Sequence, residues 1–429
     1  MQISDIYEIF KKYPNIITDS REVMPDSIFV ALKGDNFDGN KFIDSAFDKG
    51  AAFAIADDKS FAGREKIIVT DDALKTLQDL AAYHRKKLGI PILAITGSNG
   101  KTTTKELVYR VLAKKFNVAT TEGNFNNHIG VPKTLLKIKP DNNFAVVEMG
   151  TNHFGEIETL CKIANPDFGL INNIGKAHLE FFGNLDGVAK AKGELFEYLA
   201  ANNGKIFVNS DIDIIAKIAK KYVNKENIIS YNQQDYDVKI FPSDNKNPYL
   251  QFAFNKVKVC TKLIGTYNID NVLSAIAAGK YFNISDADIA AAIESYNPDN
   301  NRSQKIETQQ NTLYMDAYNA NPTSMQASLQ NFINQNAANK MLILGDMREL
   351  GASSESEHQN IIQMIIESNI NDVILVGDCF ANAAQNTNFK CFKDVDDCIK
   401  YLYENKIENR TILIKGSHGI HLEKTEKYL

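Results

Sequence analysis

The glycine-rich run at residues 96–103, Thr-Gly-Ser-Asn-Gly-Lys-Thr-Thr, constrains the fold of this chain more than any other feature. It follows a compact apolar stretch, residues 92–95, that predicts a buried strand, and it precedes a helical pattern over residues 102–116. In a strand, turn and helix of this kind, backbone N–H groups and the helix N-terminus together bind phosphate. The segment therefore predicts a nucleotide-binding domain built on a parallel sheet.

Each part of this phosphate loop has a chemical reason. Gly97 and Gly100 allow the N–H groups of the loop to turn toward phosphate oxygens. Lys101 is predicted to reach the β- and γ-phosphates, and the Thr102 hydroxyl to coordinate Mg²⁺. The other predicted nucleotide contacts in the loop are Ser98, Asn99 and Thr103. The alternative is a turn that only connects strand to helix, and the Gly-Lys-Thr run in this context disfavours it.

The pattern along the rest of the chain predicts three domains. Apolar strands at residues 144–149, 168–174 and 205–209 alternate with helices, which is typical of a parallel sheet covered on both faces. Residues 236–264 alternate apolar and polar residues, which predicts an antiparallel addition. Beyond a break at residues 296–301, further strands are predicted at residues 313–316, 341–345, 373–377 and 411–415. The predicted α/β fold comprises a small N-terminal domain (1–88), a central parallel-sheet domain (89–298) and a C-terminal Rossmann-like domain (299–429).

Composition excludes several classes of protein. The net charge is -5, so no excess of Lys and Arg is available to neutralise nucleic-acid phosphates. No apolar run reaches the ~18 residues of a membrane span, and the N-terminal residues lack the apolar core of a signal peptide. The five cysteines form no C-x-x-C pair. A cytoplasmic location with no membrane span and no nucleic-acid partner is expected.

Three polar residues follow the central strands. Glu148 ends a buried strand, where it would face the phosphate crevice and offer an oxygen to Mg²⁺, although a helix-capping carboxylate is an equally open alternative. His178 follows the next strand and is a plausible second metal ligand, although a lone histidine is more often structural. Lys190 and Lys192 begin a helix, and their spacing alone does not distinguish a solvated face from a functional one.

Several segments taken in order resemble the Mur ligase family. They are T-G-S-N-G-K-T-T, G-N-F-N-N-H-I-G-V-P, V-E-M-G, N-I-G-K-A-H-L-E, A-K-G-E-L-F, D-A-Y-N-A-N-P and L-G-D-M-R-E-L-G, and the likeness runs from about Asp19 to Lys415. The shortened loop T-G-x-x-G-K-T is the form that Mur ligases and folylpolyglutamate synthases use. The resemblance implies an ATP-dependent ligase that makes an amide bond through an acyl-phosphate and releases ADP. It is strongest to members that add D-alanyl-D-alanine to UDP-N-acetylmuramoyl-tripeptide, the final cytoplasmic step of peptidoglycan precursor assembly.

The resemblance also implies residue roles. It assigns Lys101 and Thr102 to the ATP phosphates, Glu148 and His178 to a second Mg²⁺, and Lys192 to a CO₂-derived carbamate. The residues implied to bind the uridine nucleotide are Ser20, Arg21, Lys33, Gly34, Asp38 and Gly39. Those implied to contact ATP from outside the loop are Asn271, Arg302 and Asp316, with Asn271 at the adenine. A monomer is expected.

The amine site is predicted from the segment after residue 316. Tyr318, Asn319 and Asn321 offer neutral hydrogen-bonding groups that suit a dipeptide of alanines, although asparagine is also a common helix cap. A sister ligase that adds diaminopimelate has an arginine after the equivalent of Pro322, and Thr323 stands there in this chain. The chain also departs from its relatives: Asn301 replaces a common glycine before Arg302.

Two other functions stay open at this stage. The chain could be a sister Mur ligase or folylpolyglutamate-type ligase that adds a single amino acid. It could also be a non-catalytic nucleotide-gated binding protein, although a binder has no need for Glu148, His178, Lys192 and Asp316 together. The third residue of the acceptor peptide, lysine or diaminopimelate, is not determined by the sequence.

Overall fold

A computed structural model describes residues 1–34, 36–242, 247–298 and 302–429. The N-terminal region holds a four-stranded parallel sheet with the order β1-β2-β5-β6 and a separate antiparallel hairpin, β3-β4. Its strands are β1 Asn15–Ile17, β2 Ser27–Val30, β3 Lys33–Gly34, β4 Phe37–Asp38, β5 Phe53–Ala56 and β6 Ile67–Val69. Its helices are α1 Ile3–Lys12, α2 Ile43–Asp48 and α3 Ala73–Leu88.

The central region is a six-stranded parallel sheet with the order β12-β11-β10-β7-β9-β8. Its strands are β7 Ile92–Thr96, β8 Val118–Thr120, β9 Phe144–Glu148, β10 Phe168–Ile171, β11 Lys205–Asn209 and β12 Ile228–Tyr231. The helices between them are α4 Lys101–Leu112, α5 Gly130–Leu136, α6 Glu156–Ala164, α7 Leu179–Phe182, α8 Leu185–Ala201 and α9 Asp213–Tyr222. Every residue of β7 and β9 is buried, which confirms that helices cover both faces.

An antiparallel sheet and two helices complete the central region. The three strands, β13 Lys239–Phe241, β14 Tyr249–Phe254 and β15 Val257–Ile264, confirm the antiparallel addition expected from the alternating pattern. The helices are α10 Ile269–Tyr281 and α11 Asp286–Glu294. Helix α10 packs against α4, so it lies directly behind the phosphate loop.

The C-terminal region is a second six-stranded sheet, with the order β16-β17-β21-β18-β19-β20. Only β16 runs antiparallel to its neighbour. The strands are β16 Gln304–Glu307, β17 Thr312–Asp316, β18 Lys340–Gly345, β19 Asp372–Val376, β20 Lys390–Phe392 and β21 Thr411–Lys415. The helices are α12 Pro322–Asn334, α13 Ser354–Glu367, α14 Asp378–Ala383 and α15 Val395–Glu404.

These sheets confirm the predicted α/β fold class, and two elements differ from their predicted length by more than one residue. The strand predicted over residues 168–174 ends at Ile171, because Asn172 and Asn173 turn away to bond the phosphate loop. The helix predicted over residues 102–116 ends at Leu112, and Lys114 N–H, which donates to Val111 O, begins the tighter bonds of a closing turn. The domain limits at 88 and 298 stay predictions, and residues 299–301 of the predicted break lie outside the described part of the chain.

Within the described residues, no helix is long and apolar enough to cross a lipid bilayer.

Candidate active site

The phosphate loop connects β7 to α4 and depends on its two glycines for steric reasons. Gly100 lies at the N-terminus of α4 with φ +70°, and a Cβ there would meet the Asn271 amide at 2.7 Å. A Cβ on Gly97 would lie 1.5 Å from Asn172 Oδ1. The loop is therefore packed tightly from behind, which leaves its other side free to face a ligand.

The segment that follows β10 braces this loop. Asn99 N–H donates to Asn173 Oδ1 at 2.9 Å, and Asn173 Nδ2 donates back to Asn99 O at 2.7 Å. Ser98 Oγ accepts from Gly175 N–H at 2.9 Å and donates to Gly175 O at 3.1 Å. Sequence reasoning missed the asparagines, although two polar residues directly after a buried strand that neighbours β7 were a usable signal.

Lys101 is the first residue of α4 and is partly buried. Its Nζ donates to Gly97 O at 2.9 Å, so the side chain folds back over the loop. Burial lowers the pKa of Lys101, nearby Arg302 lowers it further, and Glu148 raises it. Charged residues of both the central region (Glu148) and the C-terminal region (Arg302) thus influence the protonation of Lys101.

Glu148 lies at the end of β9 with 1% of its surface exposed. Its Oε1 accepts from Asn126 Nδ2 at 2.7 Å, and its backbone N–H donates to Thr121 Oγ1 at 3.0 Å. Its Oε2 is buried and has no partner among the described residues. No helix N–H in the described chain donates to this carboxylate, so the helix-capping alternative finds no support. An unpaired buried carboxylate oxygen is costly, and it is the kind of ligand that Mg²⁺ prefers.

His178 lies at the N-terminus of α7 with φ +53°. Its Nδ1 is 2.6 Å from Oε2 of Glu349, which lies in the C-terminal region. The two side chains therefore lie in close contact, outside the angular limits of a regular hydrogen bond. The contact with His178 lowers the pKa of Glu349. Sequence reasoning missed Glu349, since nothing in the sequence indicates which side chain a histidine will meet.

Lys192 lies within α8 with only 1% of its surface exposed. The described residues provide neither a hydrogen-bond acceptor nor a carboxylate for its Nζ. Burial and the proximity of Lys101 hold the pKa of Lys192 well below its usual value. The solvated-face alternative is therefore wrong for Lys192 and holds for the exposed Lys190, and the Lys192 amine is chemically suited to be neutral.

The C-terminal region contributes charged residues to the same place. Asp316 and Lys415 are register partners at the ends of β17 and β21, and Lys415 Nζ donates to Asp316 Oδ2 at 2.5 Å. The guanidinium carbon of Arg302 lies 3.4 Å from the ring centroid of Tyr318. Tyr318, predicted to bind the amine, therefore also supports the arginine predicted to contact ATP.

The two predicted amine-site asparagines have partners within the protein. Asn319 Oδ1 accepts from Ala320 N–H at 2.9 Å. Asn321 Oδ1 accepts from Ser324 N–H at 3.0 Å and caps α12. Its Nδ2 donates to Asn99 Oδ1 at 2.7 Å. The capping alternative therefore holds for Asn321, which also joins the C-terminal region to the phosphate loop.

Most of these residues line one cavity of about 1110 Å³ between the central and C-terminal regions. The predicted site residues that line it are Ser98, Asn99, Gly100, Lys101, Thr102, Thr103, Glu148, His178, Asn271, Arg302, Asp316, Tyr318 and Asn319. Gly97, Lys192 and Asn321 are not part of the lining. Asn271 is 5% exposed, and its amide bonds Thr104 and Asn268, so much of its hydrogen-bonding capacity serves the protein itself.

The residues implied to bind the uridine nucleotide lie apart from this cavity, in the N-terminal region. Lys33 faces Asp38 across the β3-β4 hairpin, and Lys33 Nζ lies 2.9 Å from Asp57 Oδ1. Arg21 is exposed and bonds Asp19, which holds the pKa of that carboxyl well below its usual range. Of the remaining members, Ser20 precedes Arg21 in the same loop, Gly34 belongs to the hairpin, and Gly39 begins a short 3₁₀ helix directly after it.

Comparison with known proteins gives a consistent result over the whole chain. Family sequence models match in order: the Mur ligase family, catalytic domain (residues 12–95), the Mur ligase middle domain (95–279) and the Mur ligase, glutamate ligase domain (301–418). The UDP-N-acetylmuramoyl-tripeptide–D-alanyl-D-alanine ligase of Bacillus subtilis is 33% identical, over 96% of this chain and 92% of that protein.

Solved structures agree. A crystal structure of MurF from Acinetobacter baumannii is 30% identical, with a TM-score of 0.86, and the match covers 99% of this chain and 98% of that one. MurF ligase from Thermotoga maritima in complex with ADP is 26% identical, with a TM-score of 0.83 over 96% of both chains. Identity above 30% over nearly the full length, together with matches to three successive domains, shows that the chain belongs to the Mur ligase family.

Proposed function

We propose that this chain is an ADP-forming ligase that adds D-alanyl-D-alanine to UDP-N-acetylmuramoyl-tripeptide. The observation that carries the proposal is one cavity that the phosphate loop, Glu148, Arg302 and Asp316 line together. One oxygen of the Glu148 carboxylate has no hydrogen-bond partner among the described residues. Relatives that carry this activity by name match over nearly the whole chain. ATP use is supported by the ADP complex of a similar structure.

The residues act mainly by positioning and charge. A carboxylate does not react with an amine unless its oxygen becomes a leaving group, and transfer of the γ-phosphoryl to it forms an acyl-phosphate. Lys101 from the central region and Arg302 from the C-terminal region both line the cavity, and their positive charges would offset the charge of the transferring phosphoryl group. The amine then attacks the acyl carbon, and phosphate leaves. Closing two regions around the reactants supplies orientation and excludes water.

The donor set fits Mg²⁺. Glu148 Oε2 is a buried oxygen that no described residue hydrogen-bonds, and the Thr102 hydroxyl and the His178 ring line the same cavity. Bound Mg²⁺ would screen the repulsion between the acceptor carboxylate and the triphosphate. The residues proposed to hold two ions are Thr102, Glu148, His178 and Lys192.

Lys192 is proposed to carry a carbamate. Reaction with CO₂ requires a neutral amine, and burial lowers the pKa of Lys192 in that direction. The addition forms an N–C bond and releases one proton, which replaces a buried amine with an anion close to Lys101. The new oxygens would suit Mg²⁺.

The other substrates are assigned by region. We propose that the uridine nucleotide binds the N-terminal region (1–88), ATP the central region (89–298) and the dipeptide the C-terminal region (299–429). Ser20, Arg21, Lys33, Gly34, Asp38 and Gly39 serve the first role, while Asn271 supports the adenine end of the second. Tyr318 and Asn319 face the cavity, where neutral groups suit a dipeptide with one carboxylate.

A coupled ADP-release assay tests the function. The panel combines UDP-N-acetylmuramoyl tripeptides that end in lysine or diaminopimelate with D-alanyl-D-alanine, single L-amino acids, D-glutamate and diaminopimelate as amines. ADP release is expected only when acceptor and D-alanyl-D-alanine are both present. Preferred turnover of a single amino acid would favour a sister ligase, and nucleotide binding without turnover of any pair would favour a binding protein.

A further inference from the structure

The loop at residues 175–180 of the central region carries His178 and is hydrogen-bonded to the C-terminal region. Lys176 N–H donates to Thr323 Oγ1 at 3.0 Å, and Lys176 Nζ lies 2.5 Å from the buried Glu357. Glu180 N–H donates to the backbone oxygen of Glu349 at 3.0 Å. Both ends of this loop are therefore tied to the other side of the cavity.

His178 lies between these ties and meets Glu349 directly. The 2.6 Å contact joins His178 Nδ1 to Glu349 Oε2, and the described residues give Nδ1 no other partner. Both residues have a left-handed backbone, with φ +53° at His178 and φ +62° at Glu349. Such conformations are uncommon for residues with a side chain and persist where the surroundings impose them. The arrangement is therefore built by the packing of the two regions.

We propose that Glu349 is a positioning residue that orients His178 for metal binding, so that docking of the C-terminal region completes the metal site. A carboxylate oxygen 2.6 Å from Nδ1 favours the tautomer with the proton on that nitrogen, which leaves the Nε2 lone pair free for an ion. Glu349 belongs to the region that carries Arg302 and Asp316, so the same docking that brings these two to the cavity also sets the histidine. The inference rests on the metal site proposed above.

The first test is the tautomer of His178, which does not depend on metal. The full chain is labelled with ¹⁵N-histidine, and His178→Asn identifies the resonance. The wild-type ring is expected to carry its proton on Nδ1 with Nε2 unprotonated, and Glu349→Ala is expected to shift the proton toward Nε2. Glu349→Gln keeps an oxygen acceptor and should retain most of the Nδ1–H form. A protonated Nε2 in the wild-type chain, or an identical tautomer in Glu349→Ala, overturns the inference.

The second test is metal affinity, measured by electron paramagnetic resonance with Mn²⁺ as the probe and adenylyl imidodiphosphate at a fixed concentration. Glu349→Ala should weaken the second Mn²⁺ site about 10-fold, the lower end for loss of an outer partner. Lys176→Gln is the matched variant, because it breaks the Lys176–Glu357 ion pair between the two regions without removing the side chain that contacts His178, and it should weaken Mn²⁺ binding less. Equal effects of the two variants reduce Glu349 to a docking contact and overturn the inference. A wild-type chain that binds only one Mn²⁺ contradicts the proposed function instead.

Discussion

The central and C-terminal sheets are alike in architecture but differ in whether the charged side chains at their strand ends are paired with each other. Each has six strands, mostly parallel, and each places polar residues at the carboxyl ends of its strands. In the central region Glu148 Oε2 is buried with no hydrogen-bond partner among the described residues, and Lys192 is 1% exposed and forms no ion pair with them. In the C-terminal sheet Asp316 is paired with Lys415. Buried charge left unpaired is costly, so the central sheet is the one arranged to receive charged ligands.

The buried cluster of Asp346, His358 and Cys379 makes the same contrast within the C-terminal region. Its potential ligand atoms lie within 4.8 Å of one another. Yet His358 Nδ1 donates to Ser354 O at 2.7 Å, and its Nε2 accepts from Met347 N–H at 3.0 Å. Both Asp346 oxygens accept backbone N–H groups at the start of α14. Because these atoms are satisfied internally, the cluster is structural and we assign no metal to it.

The largest expected effect is in the central region, which is arranged to receive charged ligands. Lys101→Ala should lower ADP release by about 10²–10³-fold, the scale for losing one preorganised charge. The melting temperature should change little, since the hydrogen bonds of the Lys101 ammonium to the described residues all go to its own loop. Lys114→Ala, an exposed lysine beyond the end of α4, is the control. Turnover close to that of the wild type in Lys101→Ala would contradict the phosphate-loop assignment.

Lys192→Met tests the buried amine of the central region. It should lower ADP release on the order of 10²-fold by removing the proposed ligand. It should leave stability equal or higher, because an apolar side chain replaces a buried amine. A ¹³C carbamate signal from ¹³CO₂ is expected in the wild-type chain and absent in the variant. Lys190→Met, exposed on the same helix, should keep the signal; a wild-type chain without it argues against the carbamate.

Asp316→Ala tests the paired charges of the C-terminal region, where the expected loss includes stability. The substitution leaves Lys415, which is 2% exposed, without its carboxylate partner. The free energy of unfolding should fall by about 2 kcal/mol, below the usual cost of breaking a buried pair because Asp316 is partly exposed. Urea titration measures it. The double variant Asp316→Ala, Lys415→Met should recover part of the loss, and no recovery would mean that the pair is not the cause.

The smallest expected effect is a pH dependence in the C-terminal region. Burial lowers the pKa of His358, so the unfolded chain takes up a proton before the folded one does. Its contribution to stability is complete above the unfolded pKa of ~6.5 and is lost as the pH falls through the folded pKa. His358→Gln should remove a slope of up to ~1.4 kcal/mol per pH unit below pH ~6.5. His128→Gln, exposed, should retain that slope in urea titrations at several pH values.

Local pattern in the sequence determined much of this protein. The phosphate loop could be predicted because glycines, a lysine and a threonine must follow a strand and begin a helix for phosphate binding. Strands at Lys205–Asn209 and Thr411–Lys415 could be predicted to the residue, since a buried strand is a continuous apolar run. Glu148 could be placed at the crevice because a strand end is visible in the sequence.

Only the tertiary structure decided which side chains meet. Asp316 and Lys415 are separated by almost the whole C-terminal sheet in sequence, and their contact follows from strand order, which local patterns do not encode. The same holds for His178 and Glu349, and for Asn99 and Asn321, which belong to different regions. The sequence showed Lys192 only as one of two helical lysines, and burial on the inner face of α8 separated it from Lys190. Burial and pairing are set by how helices and sheets pack, and both depend on contacts between distant parts of the chain.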